Sequence, residues 1–182
     1  MPTMGSPAAL HIWIGRAAYF GCAALLIFAS LVPMRFNPGG VPAPDLLLAL
    51  TFSTVLRRPD FAPFWLVFAI FLLADTLSGQ PLALWTGIVL ISTEFLRTQE
   101  RRFRELIFPF EWAFFTAVFF LAILANRIIL TVALVPVADF GAQMLYFFVT
   151  VITYPLVVLF CYAIIHIRKI TPGEAVRLGH RL

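Results

Sequence analysis

Six apolar runs follow one another along the chain, separated by short clusters of proline, glycine and arginine. Residues 12–34 form the first. The second, 43–56 ("APDLLLALTFSTVL"), stops at Arg57-Arg58-Pro59. Residues 63–78, 81–96, 106–126 and 143–167 complete the set, with the charged stretch "RTQERRFRE" (97–105) between the fourth and fifth. A helix needs about 20 apolar residues to cross a bilayer, with a range near 17–25. The pattern therefore predicts an all-α, polytopic membrane protein of six helices. Pro63 and Pro81 fall where helices start, where a missing N–H costs nothing. The second run spans only about 21 Å as a helix, against a hydrocarbon thickness of about 30 Å. Its outer end is expected to be shielded by neighbours, with "NPGGVPAP" (37–44) packed on adjacent helices.

The stretch 128–140, "IILTVALVPVADF", is apolar but broken by Pro136. It is open to three readings: a seventh crossing, a re-entrant piece, or an extension of the fifth helix. Charge arbitrates. With six crossings and the N-terminus inside, the cytoplasmic side holds Arg16, Arg57, Arg58, Arg97, Arg101, Arg102, Arg104, Arg168, Lys169, Arg177 and Arg181, 11 of the 13 basic residues. Only Arg35 and Arg127 fall outside. A seventh crossing would move the last four cations outside, against the positive-inside bias. The expectation is one transmembrane domain over 1–182, both termini cytoplasmic, a short basic tail at 168–182, and 128–140 packed near the outer surface. Trp13, Trp65 and Trp112 near inner helix ends and Trp85 near an outer one match the depth that indole rings favour.

Composition strengthens this reading. The chain is 62% hydrophobic, with a mean hydropathy of +0.96 and 20 phenylalanines, above the roughly 45–50% apolar content of soluble domains. Its charges cluster between apolar runs, unlike a basic nucleic-acid-binding chain, so no nucleic-acid partner is expected. Cys22 and Cys161 lie inside apolar runs and read as packing residues. The first run has no basic segment before it and no clear cleavage site, and reads as a retained helix. Catalytic motifs such as G-x-S-x-G, H-E-x-x-H and the Walker sequence are absent, and His11, His166 and His180 are scattered. No enzyme activity, metal or cofactor is expected.

Acids near membrane-spanning runs are expensive and so are candidate functional groups. Asp45 opens the second helix, where a carboxylate suits the positive end of the helix dipole. Glu94 lies three residues before Arg97, a natural helical pair. Glu111 is expected to meet the basic loop 97–105. Asp75 lies near the C-terminal end of the third helix, the wrong end for a negative charge, and needs a partner. The N–H groups opening the fourth helix are one source, and Arg35 and Arg127 are others. Gly79 can end the third helix with a positive φ, and Pro81 can begin the fourth.

The run from Pro44 to Leu84 resembles the rod shape-determining membrane protein family MreD. The likeness rests on Pro44-Asp45 before an apolar helix, on Arg57-Arg58-Pro59, and on Asp75, Gly79, Pro81 and Leu82 in "LLADTLSGQPLAL". Ala83 stands where the family pattern has its last glycine. The motif covers about forty residues, and beyond it only hydropathy agrees. The resemblance implies a non-enzymatic subunit of the bacterial cell-elongation machinery in the inner (cytoplasmic) membrane. It further implies binding to MreC, a wider complex with MreB, RodA and a class B penicillin-binding transpeptidase that directs lateral peptidoglycan synthesis, and a six-helix bundle similar to the substrate-binding subunits of energy-coupling-factor transporters. The partner-binding or hairpin-defining residues it implies are Pro44, Asp45, Arg57, Arg58, Pro59, Asp75, Gly79 and Pro81.

Two candidate helix-packing faces come from small residues four apart, Ala17 with Gly21 and Ala113 with Ala117, a spacing that lets membrane helices approach closely. Membrane lipids are the other expected contact. The rival to a scaffold is the substrate-binding subunit of a small-solute, vitamin-type transporter, with a polar outer cavity lined by Asp45, Asp75 and Arg127. An intramembrane enzyme is the weakest alternative, for want of a catalytic constellation. The charge distribution makes topology testable: alkaline phosphatase fused after Leu182 should be inactive and the same fusion within 36–42 active. Activity at the C-terminal fusion overturns the six-crossing scheme.

Overall fold

The computed structural model describes residues 7–31, 42–78, 83–103, 108–137 and 139–164. Among these, six α-helices follow in order: α1 (Pro7–Leu31), α2 (Leu46–Arg57), α3 (Phe64–Ser78), α4 (Leu84–Phe103), α5 (Phe108–Val132) and α6 (Phe140–Ile164). A single 3-10 turn, Pro59–Phe61, joins α2 to α3. Three stretches are long and apolar enough to cross a membrane: Leu10–Leu31, Phe108–Val132 and Phe140–Tyr162. α2 and α3 are apolar but shorter.

The fourth helix runs past 96 to Phe103, so most of the stretch expected as a charged loop is helical. Arg97 and its neighbours are good helix formers, and nothing in "RTQERRF" breaks the pattern. The fifth helix extends to Val132, which settles 128–140. Its first residues continue α5, a turn follows at 133–134, and Phe140 opens α6. The described residues hold no seventh crossing. The expected basic tail, most of 37–44, Gly79 and Pro81 lie outside the described residues.

α2 is the centre of the fold. It packs against α1, α4 and α6, while contacts between α1 and α3, α3 and α4, α4 and α5, and α5 and α6 close the surrounding layer. Every residue from Leu48 to Arg57 is buried. The short second run is thus enclosed by protein from Leu48 to its end, beyond the shielding of one end that its length suggested. α5 and α6 join through an aromatic stack. Phe115 lies face to face with Tyr154 (centroids 3.9 Å), Phe119 with Phe147 (5.6 Å), and Phe52 of α2 meets Phe115 edge-on (5.8 Å). Such pairs add about 0.5–1.5 kcal/mol each beyond the area they bury.

Pro155 lies inside α6. Proline has no N–H, so the carbonyl of Val151, four residues earlier, loses its helical donor. The indole Nε1 of Trp112 donates to that carbonyl instead, at 2.9 Å. In lipid an orphan carbonyl costs several kcal/mol, so Trp112 of α5 both tolerates the proline and ties α5 to α6.

The long helices overhang the short ones. Tyr146, which reaches the start of α2, lies six residues into α6, about 9 Å along its axis. Arg16, which reaches the α2–α3 turn, lies nine residues into α1, about 13 Å along it. Both ends of α2 are therefore recessed within the bundle.

The recessed turn is locked from α1. A Cβ placed on Gly15 would lie 2.5 Å from the Phe61 ring, whose other neighbours include His11 (centroids 5.5 Å, edge-on) and the Arg58 guanidinium (5.7 Å from the ring). Gly15→Val should lower stability by about 1–3 kcal/mol, read as loss of unfolding temperature in detergent. Gly21→Val, where a Cβ meets nothing within 4 Å, should leave it unchanged. Equal effects would refute the packing account.

Candidate functional site

Two buried carboxylates, Asp75 and Glu111, and the half-buried Asp45 organise the ends of the short helices. Asp45 is the N-cap of α2: its Oδ1 accepts from the Leu48 N–H at 2.9 Å. Oδ2 accepts from the Tyr146 hydroxyl of α6 at 2.9 Å, and the Asp45 N–H donates to Thr150 Oγ1 at 3.1 Å. Trp85 of α4 lies beside this carboxylate. One residue thus caps its own helix and ties α6 to it. Pro44 precedes it half-buried, its carbonyl accepting from the Leu46 N–H at 3.0 Å.

Asp75, 3% exposed, caps a helix that is not its own. Oδ2 accepts from the Thr86 N–H at 3.0 Å and from the Thr86 hydroxyl at 2.7 Å. α4 starts at Leu84 after Ala83, so Thr86 is its third residue, whose N–H an N-cap side chain ordinarily takes. Alanine has no acceptor. Asp75 supplies the missing cap from the end of α3, and the α4 N-terminus supplies the positive dipole that the end of α3 denies it. Ala83 itself has φ 65°, a left-handed conformation that costs a non-glycine residue about 1–2 kcal/mol. That is a physical reason for glycine at this position in a related pattern. Arg127, the other described partner considered for Asp75, instead donates to Gln143 Oε1 and lies over the Phe140 ring.

Glu111 lies in the first turn of α5 and meets Arg57; the side chains of 100–105, part of the stretch expected to meet it, lie outside the described residues. Arg57 Nε and Nη2 donate to its two carboxylate oxygens at 3.1 and 3.4 Å, and the Tyr154 hydroxyl donates to Oε1 at 3.3 Å. Arg57 is 9% exposed and Glu111 1%. Arg57, counted among the cytoplasmic-side cations, is buried instead of surface-exposed: it directly follows Val55 and Leu56, the last apolar residues of α2, and turns into the junction of α2, α5 and α6. Ser53 and Cys161 meet beside this cluster at 3.5 Å, and both cysteines are free.

The turn between α2 and α3 is held by arginines from outside it. Arg97 Nη1 donates to the Pro59 carbonyl at 3.3 Å and Nη2 to the Ala62 carbonyl. Its Nε lies 2.9 Å from Glu94, the expected helical pair, at an angle that makes it an ion pair without an aligned hydrogen bond. Arg16 Nε donates to the Asp60 carbonyl at 3.0 Å. These donors satisfy carbonyls that the break between two helices leaves open.

The structure therefore brings Asp45 to Thr150, Tyr146 and Trp85, Asp75 to Thr86, and Arg57 to Glu111, while Arg58 and Pro59 lie in the turn. It does not bring the small-residue faces into contact with another helix. Ala17, Gly21, Ala113 and Ala117 are all exposed. Sequence reasoning missed Thr86, Tyr146, Thr150 and Tyr154. Each is a hydroxyl inside an apolar run, and the signal was there to find, since a hydroxyl at membrane depth needs a partner. Among the described residues no cluster of three His, Cys, Asp or Glu side chains forms a metal site. No protein-family model, curated protein or solved structure matches this chain.

The Arg57–Glu111 pair gives a direct test of this arrangement. Glu111→Leu leaves a buried guanidinium uncompensated and should cost about 3–5 kcal/mol, whereas the double change Arg57→Met with Glu111→Leu should recover most of the loss. Unfolding in detergent measures both. A double variant no better than Glu111→Leu would contradict a coupled pair.

Proposed function

We propose that the chain is a non-enzymatic scaffold of the MreD kind in the bacterial inner membrane. On this reading its six helices form a bundle comparable to the substrate-binding subunits of energy-coupling-factor transporters, with both termini in the cytoplasm. It binds the single-span protein MreC and, through it, the wider assembly of MreB, RodA and a class B penicillin-binding transpeptidase that directs lateral wall synthesis and cell shape. The observation that carries the reading is the use made of Asp75. In the segment that resembles the family, the distinctive acid is spent on fixing one helix end to the next. A fixed hairpin is a surface that a partner can recognise, and it requires no chemistry.

Two further features support it. The small-residue faces of α1 and α5 point away from the bundle, so a partner helix has room to approach them closely. The carboxylates that a vitamin-type carrier would offer a solute, Asp45 and Asp75, are already engaged by protein donors.

Asp75 separates the two readings. A charge-assisted bond of this kind is worth about 1.5–3 kcal/mol. Asp75→Asn keeps one acceptor for Thr86 and should be mild. Asp75→Leu keeps none and should give rounded cells and lost MreC co-purification at matched membrane abundance. Complete and equal loss for both would show that the titratable charge matters, and would favour transport.

A further inference from the structure

Arg16 carries a charge that the protein uses only in part. It lies on α1 between exposed Trp13, one turn before it, and exposed Phe20, one turn after. Its Nε is committed to the Asp60 carbonyl, and its guanidinium carbon lies 5.4 Å from the Trp13 ring. Among the described residues the two Nη groups have no hydrogen-bond partner. No described carboxylate forms an ion pair with it, and Asp60 offers it the backbone carbonyl while its own carboxylate is exposed. The turn that Arg16 grips carries a second cation, Arg58, against the Phe61 ring, with His11 on that ring too.

This position is unusual for an arginine. Leu10, Trp13 and Ile14, between it and the start of α1, are all more than half exposed, as expected of a lipid-facing helix. A guanidinium edge at that depth requires a counter-charge or water. Its two Nη groups form a planar fork that matches the oxygens of a phosphate. The aromatic surfaces of Trp13 and Phe20 flank that fork, so the corner joins an anion-binding edge to an apolar wall. A phospholipid has both parts, and a free anion has only one. The Arg16 charge, which meets no described carboxylate, favours a headgroup of net negative charge over a zwitterionic one.

We propose that the corner between α1 and the Pro59–Phe61 turn binds the phosphate of an anionic phospholipid. Arg16 Nη groups hold its oxygens, and its acyl chains lie along Trp13 and Phe20. This rests on the membrane-spanning reading of α1, and not on the scaffold function.

The test uses the purified, delipidated full chain, titrated with dioleoylphosphatidylglycerol or dioleoylphosphatidylcholine and read by native mass spectrometry. Arg16→Gln keeps an N–H for the Asp60 carbonyl but loses the charged fork. It should bind phosphatidylglycerol about ten-fold more weakly than the parent, with phosphatidylcholine binding unchanged. Arg127→Gln, the same charge loss at the other end of the bundle, should bind like the parent. If Arg16→Gln does not fold, Arg16→Lys carries the test, and should lose several-fold in affinity with its fork. Parent-like phosphatidylglycerol binding by the Gln variant, or by the Lys variant in its place, overturns the proposal. So does equal binding of the two lipids by the parent, or full displacement of phosphatidylglycerol by millimolar inorganic phosphate, which would assign the corner to a soluble anion. Release of the chain from membranes by alkaline carbonate would instead refute the membrane-spanning reading itself.

Discussion

α2 has 12 residues and protein on every side, so neither of its ends reaches the level at which the long helices stop. A helix end leaves N–H and carbonyl groups without intrahelical partners, and inside a membrane no water is at hand to take them. The rest of the structure follows from that constraint. Asp45 takes the Leu48 N–H in the first turn of α2 and is itself anchored to α6. Beyond the other end, Arg97 and Arg16 take the carbonyls of the following turn.

The same constraint explains why the charges of this chain behave as ties. Arg57 and Glu111 are each costly to bury alone, and together with Tyr154 they join α2, α5 and α6 at one point. Asp75 spans from α3 to α4, and Trp112 mends the gap that Pro155 opens in α6. Nearly every polar side chain discussed links two helices. These ties hold the helix ends of the bundle at both levels.

The periodicity of apolar runs and the breaks between them are enough to locate all six helices, because burying backbone in lipid forces each run to be helical. The need of Asp75 for a partner, and the α4 N-terminus as one source of it, were legible for a similar reason: two helix dipoles and a short turn act over a few residues. The helical pairing of Glu94 with Arg97 was legible because it spans less than one turn. The extents of α4 and α5 were not, since the charged stretch 97–105 reads as a loop although nothing in it breaks a helix, and the apolar stretch 128–140 is compatible with several placements.

What the sequence by itself determined is the class of the chain: helical, and built of apolar runs of membrane-spanning character with few charges among them. Only the tertiary structure decided that the second helix is enclosed at the centre, that Arg57 turns inward to Glu111, and that Asp45 reaches Tyr146 across 101 positions of sequence. Hydropathy depends on each residue's own transfer between water and lipid and can be summed along a chain. A buried ion pair or a cap shared between distant helices depends on which surfaces meet, and that is settled only when all six helices pack together.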